Sequence, residues 1–404
     1  MNLTISIKST LLRRCLAFFA LATGCVTVAS AAVTWQDVQF GGFASQGYLK
    51  SSANDYLGDT SGGTFDFREY AANASWSKDK FRVGAQAFGQ KIGDYGKDEI
   101  KLDWATVDYQ ATQWFGVRAG RVKMPRGLYN EALDLDSVRP FVLLPQSVYD
   151  PRLRDFNASF DGGMVYGNVE LGRFGSIDYR GFYGDIPIKA NSGANAYFNS
   201  DKPQYNLGIN LDSVVGGSLF WNTPLAGLRT GYSFSQFKNL TSLRSADPRD
   251  PLNLHTKTAA RYPRHLFSAE YIWGDWTFAS EYSREQGTYV VNYLNRVKQS
   301  FPKSSNKSYY VSAARRINKW LEVGAYYDSY TENTVLSTGV QPPKKQKDYA
   351  LSLRFDLNEH VIFKLEGHAY DGAGKIFDTV AKPQPQSSLD QKWTMIAAKT
   401  TFSF

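Results

Sequence analysis

The chain has 404 residues, with 46 lysines and arginines against 38 aspartates and glutamates, and its formal charge of +8 is too mild to point by itself to nucleic acid. Its two cysteines, Cys15 and Cys25, both precede residue 32, so the rest of the chain offers no thiol for a disulfide or a cysteine-based metal site. Beyond residue 31 no apolar run reaches the roughly 18 residues that a transmembrane helix needs, and mean hydropathy is negative, yet the chain carries 25 Tyr, 26 Phe and 9 Trp.

Residues 1 to 31 read as a secretory signal. Lys8, Arg13 and Arg14 open it, an apolar run follows from Cys15 to Ala29, and Ala29-Ser30-Ala31 supplies the small side chains of a cleavage site. Removing those three cations lowers the formal charge from +8 to about +5. A lipoprotein signal is the competing reading, because Leu21-Ala22-Thr23-Gly24 precedes Cys25. The strand-like sequence after Ala32 weighs against it, since it leaves no polar tether.

From residue 32 to 404 the dominant pattern is alternation with a period of two, in stretches of about ten residues. In Tyr349 to Leu357, residues Tyr349, Leu351, Leu353, Phe355 and Leu357 share one face and Ser352, Arg354 and Asp356 the other. Phe81 to Phe88 and Val361 to Ala369 alternate likewise. The gaps between stretches alternate too. Short ones fall near Lys78, Thr112, Gly172, Pro224, Gly274-Asp275, Asn318-Lys319 and Asn358-Glu359. Long ones fall at roughly 51–63, 92–98, 123–158, 185–213, 239–262, 291–306, 332–346 and 372–388. Seven tight turns and eight long loops join about 16 strands with both ends on the tight-turn side. The expected fold is therefore all-β: one transmembrane antiparallel β-barrel spanning 32–404.

Aromatic placement agrees with that expectation. Trp76, Trp114, Trp221, Trp273, Trp276 and Trp320 flank short turns, as an interfacial girdle on the periplasmic side would. Tyr48, Tyr183, Tyr289, Tyr330, Tyr349 and Tyr370 lie near long loops and are candidates for the outer girdle. A soluble β-sandwich could account for scattered aromatics, but not for the loop alternation as well. The chain closes on Lys399-Thr-Thr-Phe-Ser-Phe404, with Ile396, Ala398, Thr400, Phe402 and Phe404 on one face. This ending resembles the C-terminal signature of bacterial outer-membrane barrels.

With apolar faces turned to lipid, Arg82, Arg118, Arg180, Arg229, Arg354, Lys364 and Lys399 would point inward, together with Asp108, Glu270, Glu281, Glu322, Asp356 and Glu366. Such charges need water or partners. The longest connection, 123 to 158, follows the fifth strand, and a loop of that size usually has a function. It carries Lys123, Arg126, Arg139, Arg152 and Arg154 as candidate sources of positive field. Glu131, Asp134 and Asp136 would stand opposite, and Arg118 and Arg121 would line the adjoining wall of a constriction. Opposed walls of acid and base would select ions by charge. Local pairing that merely holds the loop is the alternative.

The run Gly120-Arg121-Val122-Lys123-Met124-Pro125-Arg126-Gly127 resembles the stretch of phosphate-selective porins in which Gly-x-x-Lys-x-Pro leaves a strand and enters the third loop. Together with strand count, loop order and terminal Phe, it makes the chain similar to Gram-negative 16-stranded porins of the phosphate-selective (O/P-type) superfamily. The resemblance implies an outer-membrane location, a third loop folded into the lumen and a homotrimer. It names no solute, because no lysine-rich ladder accompanies the motif.

Later outer loops lean basic, with Arg244, Arg249, Lys257, Arg261, Arg296, Lys298, Lys303, Lys307, Lys344 and Lys345. These cations could raise local anion concentration or meet lipopolysaccharide phosphates. Four histidines, His255, His265, His360 and His368, form no metal-ligand spacing, and no nucleotide-binding fingerprint is present, so no cofactor is expected. Asp247, Asp250 and His255 share a loop but no nucleophile motif, so no enzyme is expected either. The expected function is a diffusion channel for small hydrophilic solutes with mild anion preference. A substrate-specific anion or organic-acid channel and a structural or adhesion barrel are the alternatives.

Overall fold

The computed structural model describes residues 33–35, 38–93, 95–188, 192, 194, 206–244, 255–293, 298–336, 339–376 and 386–404. The expected signal, and Asp247, Arg249, Asp250 and Arg296, lie outside the described residues.

One closed antiparallel sheet dominates the molecule, and sixteen strands form its wall. They are β1 (Val38–Ser51), β2 (Phe67–Lys78), β3 (Phe81–Ile92), β4 (Lys101–Thr112), β5 (Phe115–Lys123), β6 (Ser159–Glu170), β7 (Ser176–Asp185) and β8 (Ser213–Asn222). The second half comprises β9 (Leu228–Arg244), β10 (His255–Trp273), β11 (Trp276–Tyr293), β12 (Lys303–Arg316), β13 (Leu321–Leu336), β14 (Lys344–Asp356), β15 (Val361–Gly372) and β16 (Lys392–Ser403). Short segments Val33–Trp35, Asn206–Asn210, Lys298–Ser300 and Gly339–Val340 pair alongside β1, β9, β11 and β13.

Each strand pairs with its chain neighbour, and the first and last close the ring in the register Phe43↔Ser403 through Ser51↔Met395. The terminal residue completes the seam. Phe404 N–H donates to Gly42 O at 3.0 Å and Phe404 O accepts from Gly42 N–H at 3.1 Å. A closed ring leaves no unpaired edge, which is what allows strands to cross hydrocarbon. Tight turns follow β2, β4, β6, β8, β10, β12 and β14, as expected. At the two-residue turn between β10 and β11, Gly274 takes φ +56°, a conformation open to glycine at little steric cost.

The pleat sorts side chains as a lipid-immersed barrel requires. On β14, Tyr349 and Leu351 are exposed while Ser352 and Arg354 are buried. Outward faces are aliphatic and aromatic, and inward faces carry charge. Trp76, Trp114, Trp221, Trp273 and Trp320 are exposed beside the short turns. The outer tyrosine belt needs a correction. Tyr183 and Tyr349 are exposed, but Tyr289, Tyr330 and Tyr370 are buried, and Tyr282 and Tyr309 are exposed instead. Distance from a loop says how high a residue sits, whereas strand phase decides which face it takes.

The strands β9, β10 and β11 also run further toward the long loops than expected, to Arg244, from His255 and to Tyr293. Those extensions are polar (Thr241, Ser242, Lys257, Thr258) and still pair in register. Beyond the lipid a strand needs no apolar face, so the ladder continues where the hydrophobic alternation stops.

Candidate functional site: the third loop and the wall around it

Residues 124–158 leave β5 and return to β6 through three short 3-10 turns, Asn130–Ala132, Asp136–Val138 and Pro151–Leu153, and the single helical turn Arg154–Asn157. The segment has its own apolar residues, and they pack against inward side chains from around the ring. Met124 and Phe156 join Phe160, Phe182 and Phe237. Val142 and Leu143 join Leu49, Phe67 and Tyr370. Leu128, Tyr129 and Tyr149 join Phe220, Leu266 and Tyr310, and Phe141 meets Tyr326 with ring centres 5.0 Å apart.

Wall carboxylates take hold of the loop backbone. Glu366 accepts from Val142 N–H at 2.9 Å and Leu143 N–H at 3.0 Å. Asp328 accepts from Ser147 N–H at 2.9 Å, and Glu281 from Leu128 N–H at 3.0 Å. Glu281 is also met by the hydroxyls of Tyr149, Tyr310 and Ser268 at 2.5, 2.9 and 2.6 Å. Lys364, fully buried, donates to Asp136 O at 2.8 Å and Phe141 O at 3.2 Å. Loop amides that no regular element pairs are thus satisfied by side-chain carboxyl oxygens of the wall.

The charges of the loop form three clusters. In the first, Lys123 reaches Asp103 at 2.5 Å and Asp134 at 2.6 Å, Arg154 reaches Asp103 at 2.6 Å and also bonds Asp134, and Gln86 donates to both carboxylates. In the second, Asp136 faces Arg139 at 3.0 Å, Lys399 at 3.3 Å and Lys364 at 3.5 Å, and accepts from the Thr401 hydroxyl. The third joins Asp150 to Arg152 at 2.6 Å and to Lys375 at 2.9 Å. Burial by itself would raise these three loop carboxyls. Arg154 and Lys123 reverse the shift for Asp134, as do Lys364, Lys399 and Arg139 for Asp136, and Arg152 and Lys375 for Asp150, so all three lie well below the usual range.

The expected site residues therefore come together only in part. Lys123, Arg139, Arg152 and Arg154 do not form a basic wall opposite Asp134 and Asp136. Acids and bases interleave, because a buried charge without a partner costs several kcal/mol. Arg126 donates to Val148 O at 3.0 Å and lies 3.9 Å from Glu285. Burial and the nearby Arg264 push it down to about 10. Glu131 lies 3.5 Å from Arg180. Arg118 points inward, bonded to Asp108 at 2.5 Å. Arg121 departs from the expectation. An odd offset of three on a pleated strand turns it to the face opposite Arg118, where it stands across from Asp161 at 3.8 Å.

Sequence reasoning missed Asp103, Lys375 and Asp328. Asp103 sits beside an irregularity between Gln86 and Ala87 on β3 that shifts the phase of β4, Asp328 shares the inward phase of Glu322 on β13 and was legible from it, and Lys375 lies past the end of β15 with no alternation to mark it. A bulge is visible in backbone pairing and not in residue types. His368 is likewise informative. Its Nδ1 is 3.0 Å from Asp348 and its Nε2 3.0 Å from Glu366, the residue that holds Val142 and Leu143.

A closed, charge-lined, sixteen-stranded barrel with a long third loop defines the class of transmembrane β-barrels, and comparison with solved structures agrees. The chain resembles outer-membrane expressed OmpT of Vibrio cholerae at TM-score 0.57 and 10% identity, over 93% of this chain and 100% of that one. It resembles Salmonella typhi OmpF at 0.57 and 12%, covering 92% and 99%. An anion-selective porin from Comamonas acidovorans matches at 0.52 and 13%, covering 91% and 99%. No family model and no curated protein sequence matches. Identities this low speak for the fold alone.

Proposed function

We propose that the protein is an outer-membrane diffusion channel for small hydrophilic solutes and ions, with the third loop folded into the lumen as its constriction and no enzymatic activity. The observation that carries this reading is the capture of loop amides by inward-facing Glu281, Asp328 and Glu366, which ties residues 128 to 147 to the inner face of β11, β13 and β15. A pore with charged, hydrogen-bonding walls favours hydrated solutes over apolar ones. The likeness to the anion-selective porin supports the location and the channel role, as do the exposed tryptophans beside the tight turns.

The mild anion preference expected from the sequence has a changed basis. Arg126 and Arg152 are anchored within the loop, so the bases closer to Glu131, namely Arg118 and Arg180, are the better carriers of positive field. The outward alanines Ala85 and Ala119 allow close packing between copies, and a homotrimer is the assembly proposed. Purified protein in a planar bilayer tests the reading. Stepwise conductance in simple salt, with a reversal potential of anionic sign across a gradient, is expected. Absence of conductance in the correctly folded protein overturns the channel. A cationic reversal potential overturns only the anion preference.

A further inference from the structure

Charges on the outer face of the wall are arranged unlike those inside. Across β10 to β12 the register places His265, Arg284 and Lys307 side by side on the outward face, and the same row continues through Thr331 to Lys345. Arg284 and Lys307 are direct cross-strand partners, as are Lys238 and Arg261 on β9 and β10. Like charges opposite one another destabilise a sheet unless an anion lies between them. Among the described residues none of these five cations, Arg284, Lys307, Lys345, Lys238 and Arg261, forms a salt bridge, and all are exposed.

Their height is informative. Arg284 lies nine residues past the turn at Asp275, about 30 Å along a strand at ~3.3 Å per residue. For a strand tilted by about 40°, that is roughly 23 Å above the turn, at the edge of an apolar band about 25 Å tall. Directly below, the exposed Tyr282 and Tyr309 face each other across the same strands, as interfacial aromatics do. On the other side of the ring the outer-face charges are compensated: Arg68 pairs with Asp98 at 2.5 Å, and Lys91 with Asp66 at 2.8 Å.

We propose that Arg284, Lys307 and Lys345 form a docking surface for the phosphate of an outer-leaflet lipid headgroup, whose acyl chains lie along the apolar face below Tyr282 and Tyr309. Neighbouring strands are 4.7–4.9 Å apart, so the first two cations can share one phosphate while the third reaches a neighbouring one about 10 Å away. The inference rests on the outer-membrane reading above, and on lipid rather than free phosphate as the source.

Native mass spectrometry of the full chain in neutral detergent, with short-chain phosphatidic acid as probe and phosphatidylcholine and inorganic phosphate as comparisons, decides it. The expected result is retained phosphatidic acid, no displacement by a hundredfold excess of inorganic phosphate, and at least tenfold weaker retention in the triple variant Arg284→Gln, Lys307→Gln, Lys345→Gln. The charge-preserving variant Arg284→Lys, Lys307→Arg, Lys345→Arg should restore retention, and it keeps the test open if the glutamine variant misfolds. Equal retention by the glutamine variant, loss in the charge-preserving one, or displacement by inorganic phosphate overturns the proposal. Bilayer conductance of the same variants separates the two readings, since a lost lipid site leaves the channel conducting.

Discussion

The two faces of the wall use charge in opposite ways. Inside, Asp136 is almost completely enclosed and three cations lie within 3.5 Å of it. Outside, Lys347 and Asp371 pair at 3.6 Å with about half of each side chain exposed. Desolvation makes the difference. A charge withdrawn from water must find partners and then fixes whatever carries them, whereas a solvated charge gains little from a partner and remains available to a ligand. The inner charges therefore anchor a loop and the outer ones can meet a headgroup.

The sharpest way to break that contrast is to remove one inner anchor. Asp136→Asn leaves Lys364, Lys399 and Arg139 buried around a neutral group. It should cost about 3–5 kcal/mol, the range for breaking a buried pair from one side. Cleavage by protease between residues 124 and 158, together with noisy conductance, should report the released loop. Gly127→Ala comes next. Gly127 has φ +61°, and an added Cβ would lie 2.4 Å from Glu281 Oε1 and 2.5 Å from the Tyr149 hydroxyl, so a loss of about 2–3 kcal/mol is expected in thermal unfolding.

Asp134→Asn should cost less, roughly 1–2 kcal/mol, because Asp103 still faces Lys123 and Arg154. If its cost matches that of Asp136→Asn, the clusters are not independent anchors. Acid titration sharpens the same point. The pKa values of Asp134, Asp136 and Asp150 are depressed on folding. The stability each contributes is thus complete above the unfolded value of about 3.9 and is lost only as pH falls toward the lower folded value. Infrared carboxylate bands should show these three groups still ionised at pH 3.5, by difference against the Asn variants. The smallest effect belongs outside. Lys347→Ala should change stability by no more than about 0.5 kcal/mol.

Much of the barrel was legible because its rules are local. Alternation over Tyr349 to Leu357 identifies a strand and its lipid face, and the tight turn at Gly274-Asp275 needs only its own residues. The tyrosine belt shows where such reading ends. Tyr330 and Tyr349 sit at similar distances from a loop, yet one is buried and the other half exposed, because each strand has its own phase. For the third loop, composition revealed many charges in both signs. It did not reveal that Asp134 would meet Lys123 and Arg154 and not stand opposite them.

Strand number, turn and loop order, the face of most strands and the identity of the long loop followed from the amino-acid sequence alone, since a period of two and a turn signal depend on neighbours in the chain. Which charges meet was decided by the tertiary structure. Glu366 finds Val142 across 224 positions, and Lys399 finds Asp136 across 263, only after the ring has closed. Ion pairing falls with distance in space and is indifferent to distance along the chain, so the electrostatics of the lumen had to wait for closure.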